Sequence, residues 1–350
     1  MHSSFRASLR SFGAVILLAA TLSGCGFDTS ADSGGGAGEP ETEGITLYSG
    51  RIPAAIGGAV DRYEAEADRD VQVRYADTAD LAATLIEEGD ASPADVFFAQ
   101  EPGAIGAAAE AGLLARLPDD VLERVPARYR DREGRWVGVT GRARVIAYNR
   151  DAVAGAAVPD SPFALAEPRW QGRVGWAPAS SSMQEYVTAL RARYGDERAG
   201  EWLEAMVAND TQSYPDNVSI RDAIAAGEID VGLINHYYVA QAIAEEGPGY
   251  PVEVRFPRGG LGSLMLLTSV GVLESTDRKP EALAFVRSLL AQPSQEFFTS
   301  TSKEYPLAKG AQPDPSLHVP LARIPNAGGE QIELGELQAT IELMQESGAL

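Results

Sequence analysis

A single cysteine, Cys25, stands among the 350 residues, so no internal disulfide can form. Histidine is almost as scarce: His2, His236 and His318 lie far apart, which removes the clustered imidazoles of a histidine-rich metal site. There is no G-x-S-x-G elbow, no H-E-x-x-H, no P-loop, and no G-x-G-x-x-G between a strand and a helix. The 50 acidic residues contain no pair whose spacing marks a glycosidase. Catalysis finds no support, and the chain reads as a non-enzyme. Basic residues are also short, 29 against those 50 acids, for a formal charge of −21, which disfavours nucleic acid and anionic headgroups as partners. The apolar run Phe12–Leu22 has 11 residues, too few for the ~20 of a membrane-spanning helix.

Apolar residues make up 45% of the chain and charged residues 23%, an ordinary balance for a globular protein. The length allows two lobes with separate cores, because single cores stop growing near ~250–300 residues. Arg6 and Arg10 precede the short apolar run, which ends in Leu22-Ser23-Gly24-Cys25. That order resembles a bacterial lipoprotein signal, whose cysteine is acylated and becomes the new N-terminus. Residues 1–24 are therefore expected to be a removed signal peptide and Cys25 the lipidation site. Loss of two arginines leaves the mature chain near about −23. The expected location is extracytoplasmic, anchored to the cell membrane. Residues 25–44, rich in Gly, Ser, Asp and Glu, read as a flexible tether.

From Ile45 onward strands and helices alternate. Strands are expected at Ile45–Tyr48, Val71–Tyr75 and Asp95–Phe98, with helices at Ala54–Ala67, at Thr78–Glu88 closed by Gly89, and at Gly103–Ala111. The pattern returns with a strand at Val174–Trp176, a helix at Ser182–Arg193 and a strand at Val231–Ile234. Such alternation implies α/β lobes with a parallel sheet covered by helices. Two long β-rich runs, Thr140–Tyr148 and Ser263–Leu273, are placed to join the lobes as a hinge. Open α/β sheets bind ligands beyond their strand C-termini, so the ends at Phe98, Trp176 and Ile234 are where a site is expected.

At one of those ends Asn235-His236-Tyr237-Tyr238 follows an apolar strand. A tyrosine pair is ordinarily two amphipathic side chains at a core edge. At a strand end facing a cleft, two phenolic oxygens are also hard donors for a trivalent cation, which would drive off their protons. Here the chain resembles the ferric-iron-binding proteins of bacterial ABC importers, within the transferrin-like type 2 periplasmic-binding fold. The resemblance runs from about Ile45 to Leu350. It is carried by Leu47-Tyr48-Ser49-Gly50-Arg51, by 93–100 (PADVFFAQ), by 141–148 (GRARVIAY), by Ile234 to Tyr238, and by Glu304-Tyr305-Pro306-Leu307.

The resemblance implies a two-lobed clamshell with two hinge-crossing strands. Residues 45–142 and 270–316 would form the N-lobe, and 143–269 and 317–350 the C-lobe. It implies Tyr237 and Tyr238 as Fe³⁺ ligands, Arg142 as a holder of synergistic carbonate, and Ser180, Ser181, Ser182, Asn217 and Asn235 as further anion-binding residues. Phosphate or citrate are the other candidate anions. A serine-rich turn entering a helix offers hydroxyls, N–H groups and a favourable dipole end, and a guanidinium can grip an oxyanion bidentately. The serines could equally form an ordinary N-cap. The chain also departs from the family. Where members carry a histidine after the first strand it has Arg51-Ile52-Pro53, and Gln100 stands where some have a ligating glutamate, with Glu101 next to it. Glu185 takes the place of a third tyrosine, so Glu101 and Glu185 are candidate replacement oxygen ligands, or else solvated carboxylates at helix ends. Tyr148 alternates with Val145 and Ala147 as a packing residue would.

The expectation is thus a monomeric solute-binding lipoprotein that captures Fe³⁺ and delivers it to an ABC permease. The alternatives are a related clamshell for a small anion, ferric chelate or polyamine, and an anchored enzyme on the same fold.

Overall fold

The computed structural model describes residues 44–317, 319–325 and 337–350. The expected signal peptide, Cys25, all but the last residue of the expected tether, and His318 lie outside the described residues. The first α/β run comprises β1 (Ile45–Ser49), α1 (Pro53–Ala67), β2 (Val71–Tyr75), α2 (Thr78–Glu88), β3 (Val96–Ala99), α3 (Pro102–Glu110) and the short α4 (Asp119–Leu122). The long β4 (Trp136–Asn149) leads to β5 (Val174–Trp176), α5 (Ser181–Tyr194), α6 (Asp196–Ala208), β6 (Gln212–Ser213), α7 (Asn217–Ala226), β7 (Val231–Asn235), α8 (Tyr237–Glu246) and β8 (Val252–Arg255). The chain returns through β9 (Met265–Val272) to α9 (Lys279–Leu289), α10 (Gln292–Ser302) and β10 (Tyr305–Pro306), and ends in α11 (Leu337–Glu346). Among the described residues no helix is long and apolar enough to cross a membrane.

Local chemistry accounts for several boundaries. Asp77 caps α2 by accepting from the Ala79 N–H, and Gly89 closes it with φ of 54°, a conformation that favours glycine. Pro53 and Pro102 stand in the first turn of α1 and α3, where a missing N–H costs nothing.

The strands run in the order β2-β1-β3-β9-β4-β7-β5-β6, with β8 and β10 also pairing β4. Pairing is parallel within β2-β1-β3 and within β7-β5-β6, as the alternating pattern predicted. It turns antiparallel wherever β4 or β9 takes part. The sheet is therefore mixed. The reason is connectivity: β4 carries the chain out of one lobe and β9 carries it back, so the two run in opposite directions between the halves.

Three apolar clusters divide the molecule. The first joins β1, β3, α9 and α10 with Val137, Val139 and Ala143 of β4. The second and third lie around β5 and β7, one with Trp176, Trp202 and Met344, the other with Ile220, Ile234 and Val252. β4 passes from the first cluster to the others between Ala143 and Val145, and β9 contributes Leu267 to the first and Leu266 to the second. Leu317 and Ile324 pack with the first cluster, Met344 and Ala349 with the second. Tyr148 is buried in the second and donates to Glu253 at 2.6 Å, a packing role.

One buried carboxylate ties the first lobe to its hinge strand. Glu304, 1% exposed, receives the Arg51 guanidinium at 2.7 Å and the Thr140 hydroxyl. Burial pushes its pKa up, but Arg51, Arg142 and Thr140 more than offset this and hold it below the ordinary 4.5. Its contribution is therefore complete above about pH 4.5 and is lost as pH falls through the depressed value. Glu304→Ala, which strands buried guanidinium charge, is expected to destabilise the chain by about 3 kcal/mol at pH 7. Denaturant midpoints across pH measure this: the gap to the parent should shrink below pH 4.5, and equal midpoints at pH 7 would contradict the assignment.

Candidate metal centre

The segments that follow β3, β5 and β7 come together beside β4, where Glu101, Glu185 and Tyr237 all interact electrostatically with Arg142. Tyr237 and Tyr238 open α8 directly after β7 and His236. Their ring centroids are 4.2 Å apart at an interplanar angle of 34°. Tyr237 keeps slight solvent contact while protein surrounds it. Burial raises its phenol pKa well above the ordinary value, the neighbouring Tyr238 adds to the rise, and Arg142 opposes it. Such a phenol stays protonated at neutral pH until a strong cation takes the proton's place.

Arg142 and Arg144 stand two residues apart on β4 and so share a face of the strand. Both are buried, at 2% and 1% exposure. Arg142 donates from Nη2 to the Gln100 carbonyl at 2.8 Å. Burial works against its charge, but Glu304, Glu101, Glu185 and Tyr237 outweigh that and raise its pKa. Arg144 donates from Nη1 to Ser182 Oγ at 3.2 Å, Asn217 Oδ1 at 3.3 Å and Asn235 Oδ1 at 3.0 Å, and from Nη2 to the Leu233 carbonyl at 2.9 Å. Its burial lowers the guanidinium pKa to about 10. The Nε atoms of both arginines are buried without a hydrogen-bond partner.

Glu185 lies one turn into α5, 6% exposed, and neither of its carboxyl oxygens has a hydrogen-bond partner. Burial raises its pKa well above the usual carboxylate range, Glu101 raises it further, and Arg142 and Arg144 pull it back. Glu101, the N-cap residue of α3, faces it electrostatically and accepts from Gln100 Nε2 at 2.5 Å. Glu185 is enclosed and so is not a solvated carboxylate at a helix end, whereas Glu101 stands half-buried at the start of α3.

The two arginines link these groups: Arg142 interacts electrostatically with Tyr237, Glu185 and Glu101, and Arg144 with Tyr237, Tyr238 and Glu185. Ser182, Asn217 and Asn235 gather instead around Arg144, and Asn217 also accepts from the Asn235 N–H at 3.2 Å. Ser180 takes the N-cap position of α5 without capping, because its hydroxyl donates back to the Ala177 carbonyl at 2.7 Å. Ser181 is exposed. Ile52, where the family's histidine would stand, is 67% exposed and offers no donor atom.

Sequence reasoning passed over Arg144, although its two-residue spacing from Arg142 on a long strand was the available signal. It also passed over His236, whose buried ring is held neutral by burial, with its pKa lowered to about 4. Among the described residues no group of three or more His, Cys, Asp and Glu is placed to hold a metal ion. A metal seat here would have to draw on phenolic oxygens, with carboxylates in support. That donor set is hard, anionic and all-oxygen, and suits a small, highly charged cation.

Comparison with known proteins agrees with this architecture. A family model described as bacterial extracellular solute-binding protein matches residues 91–325. The Fe(3+)-binding periplasmic protein of Serratia marcescens is 32% identical over 311 residues, spanning 88% of this chain and 91% of its own length. Iron-bound HitA from Pseudomonas aeruginosa matches with a TM-score of 0.78 at 32% identity, covering 87% of this chain and 99% of HitA. The Trichodesmium protein IdiA (FutA), in complex with iron and citrate, matches with a TM-score of 0.75 at 28% identity over 87% of this chain and 99% of its own. The chain belongs to the bacterial extracellular solute-binding proteins and has the two-lobed type 2 periplasmic-binding fold, crossed by β4 and β9.

Proposed function

We propose that this chain captures Fe³⁺ in the cleft between its lobes and delivers it to an ABC-type importer, the iron being cargo. The observation that carries the reading is the Glu185 carboxyl, enclosed with both oxygens unpartnered and facing the same two arginines that face the tyrosine pair. An acid so placed is costly to the fold unless a cation completes it. The iron bound by the Serratia protein and by HitA, each 32% identical to this chain, supports the same cargo. The chain then acts as a binding protein and not as an enzyme, like the members of its family.

In this reading Tyr237 and Tyr238 supply two phenolates and Glu185 a carboxylate, which together balance the charge of a trivalent ion. Glu101 is the oxygen donor on the opposite side of the cleft. Arg142 and Arg144 carry positive charge beside these groups, and their unpartnered Nε–H groups are free to donate to a small oxyanion. Ser180, Ser181, Ser182, Asn217 and Asn235 would line that anion's seat, with Arg144 positioning the last three. Carbonate, phosphate and citrate are the candidate anions, and the citrate bound by the Trichodesmium protein supports the last. We further propose that residues 1–24 are a removed signal, that Cys25 carries the lipid, and that residues 25–44 tether a monomeric clamshell to the membrane.

Phenolate bonded to Fe³⁺ absorbs visible light by charge transfer. Ferric citrate titration of the mature chain is expected to give that band, and Tyr237→Phe with Tyr238→Phe to abolish it; a band that survives the double replacement would refute the ligand assignment. Glu185→Leu should weaken iron binding on the order of a hundredfold and raise the melting temperature of the iron-free chain, since it removes a buried unpartnered carboxyl. Iron binding must also displace protons that Tyr237 and Glu185 hold more tightly than usual, so affinity should fall as pH falls, read as proton release in unbuffered titration. Radiolabelled fatty acid should be incorporated into the expressed protein and lost on Cys25→Ser; label retained by the variant would exclude Cys25 as the anchor.

A further inference from the structure

α8 and α10 sit on opposite sides of the hinge, α8 mainly with the third apolar cluster and α10 with the first. Two side chains of the α8 segment nevertheless reach the C-terminal end of α10. Gln241 Nε2 donates to the Ser302 carbonyl at 3.3 Å, and His236 Nε2 lies 3.0 Å from the Lys303 carbonyl. The last carbonyls of a helix have no partner inside it, so a segment of one lobe caps a helix of the other.

The tautomer of His236 follows from its second nitrogen. Nδ1 accepts from the Ala143 N–H at 3.1 Å, so the ring proton sits on Nε2 and is donated to Lys303. The backbone N–H of His236 also donates to the Ala143 carbonyl at 3.0 Å. The ring is 2% exposed, stacks on Tyr305 at 4.7 Å, and meets Tyr237 edge-on at 6.0 Å. One side chain therefore touches the hinge strand between Arg142 and Arg144, the end of a first-lobe helix, and the first residue of the tyrosine pair.

We infer that His236, assisted by Gln241, is the pivot of the clamshell: a positioning residue that keeps α8 docked on α10 while the outer parts of the lobes move. The pivot limits how far the free chain can open and holds the tyrosine pair near its binding orientation. Without it the lobes sample a wider range, and the added ordering on closure lowers affinity while leaving the bound geometry alone. Only the affinity part of this inference rests on the proposed iron capture.

Two replacements separate the ring's bonds. His236→Gln puts an amide nitrogen near the place of Nε2 and keeps the donor to Lys303, whereas His236→Asn keeps an acceptor near Nδ1 and cannot reach Lys303. Small-angle scattering of the iron-free chain and ferric citrate titration are the readouts. The Asn variant should show a larger iron-free radius of gyration, about tenfold weaker iron binding, and a saturated charge-transfer band at the parent wavelength. The Gln variant should stay within about threefold of the parent. Parent-like radius and affinity in the Asn variant, or equal damage in the Gln variant, would overturn the pivot. If the Asn variant does not fold, Gln241→Met carries the test, with a larger radius and weaker binding expected and parent values contradicting. A parent chain that forms no coloured complex refutes iron capture, and the scattering comparison still decides the pivot.

Discussion

The structure turns on buried polar groups whose hydrogen-bonding needs the protein does not meet by itself. Glu185, Arg142 and Arg144 are all enclosed, and each retains at least one polar atom without a hydrogen-bond partner. Leaving such groups unpaired opposes folding by a few kcal/mol, so a chain that keeps them derives the compensation from something it binds. The carboxyl calls for a cation and the guanidinium nitrogens for an anion. On the proposed reading a metal ion accompanied by an oxyanion would answer both, and the adjacent phenols of Tyr237 and Tyr238 suit a hard metal.

The fold places these charges through one strand. β4 crosses from the first apolar cluster to the others at Ala143, and its arginines flank that point. Arg142 is thereby held by the first lobe through Gln100, while Arg144 gathers Ser182, Asn217 and Asn235 of the second. Glu304 holds the same strand one turn of the pleat away, at Thr140. A movement of one lobe against the other changes the distance between Glu101 at the start of α3 and Glu185 of α5, so a cation held by both would couple binding to closure.

Much of the fold was legible because it is local. α2 begins and ends where Thr78 and Glu88 predicted, with its Asp77 and Gly89 caps, and β7 hands over to α8 at the tyrosine pair as the apolar run implied. β4 ran longer than predicted, back to Trp136, because its first residues pair with β9 from more than a hundred positions away. The mixed pairing of the sheet was hidden for the same reason. In the site, Tyr237 could be nominated from its place at the end of an apolar strand, and Glu185 only from the resemblance that sets it where some members carry a tyrosine. Arg144 could not be given its role, since its partners come from three separate segments, and Ser180 looked like a cap although its hydroxyl turns away.

The most direct measurement is anomalous diffraction at the iron edge from a crystal of the iron-loaded chain. The account requires one strong iron peak bonded to the phenolic oxygens of Tyr237 and Tyr238 and to a carboxyl oxygen of Glu185, with an oxyanion between the metal and the arginines. An iron peak elsewhere, or an iron-saturated chain whose two tyrosine hydroxyls point away from the metal, would contradict it.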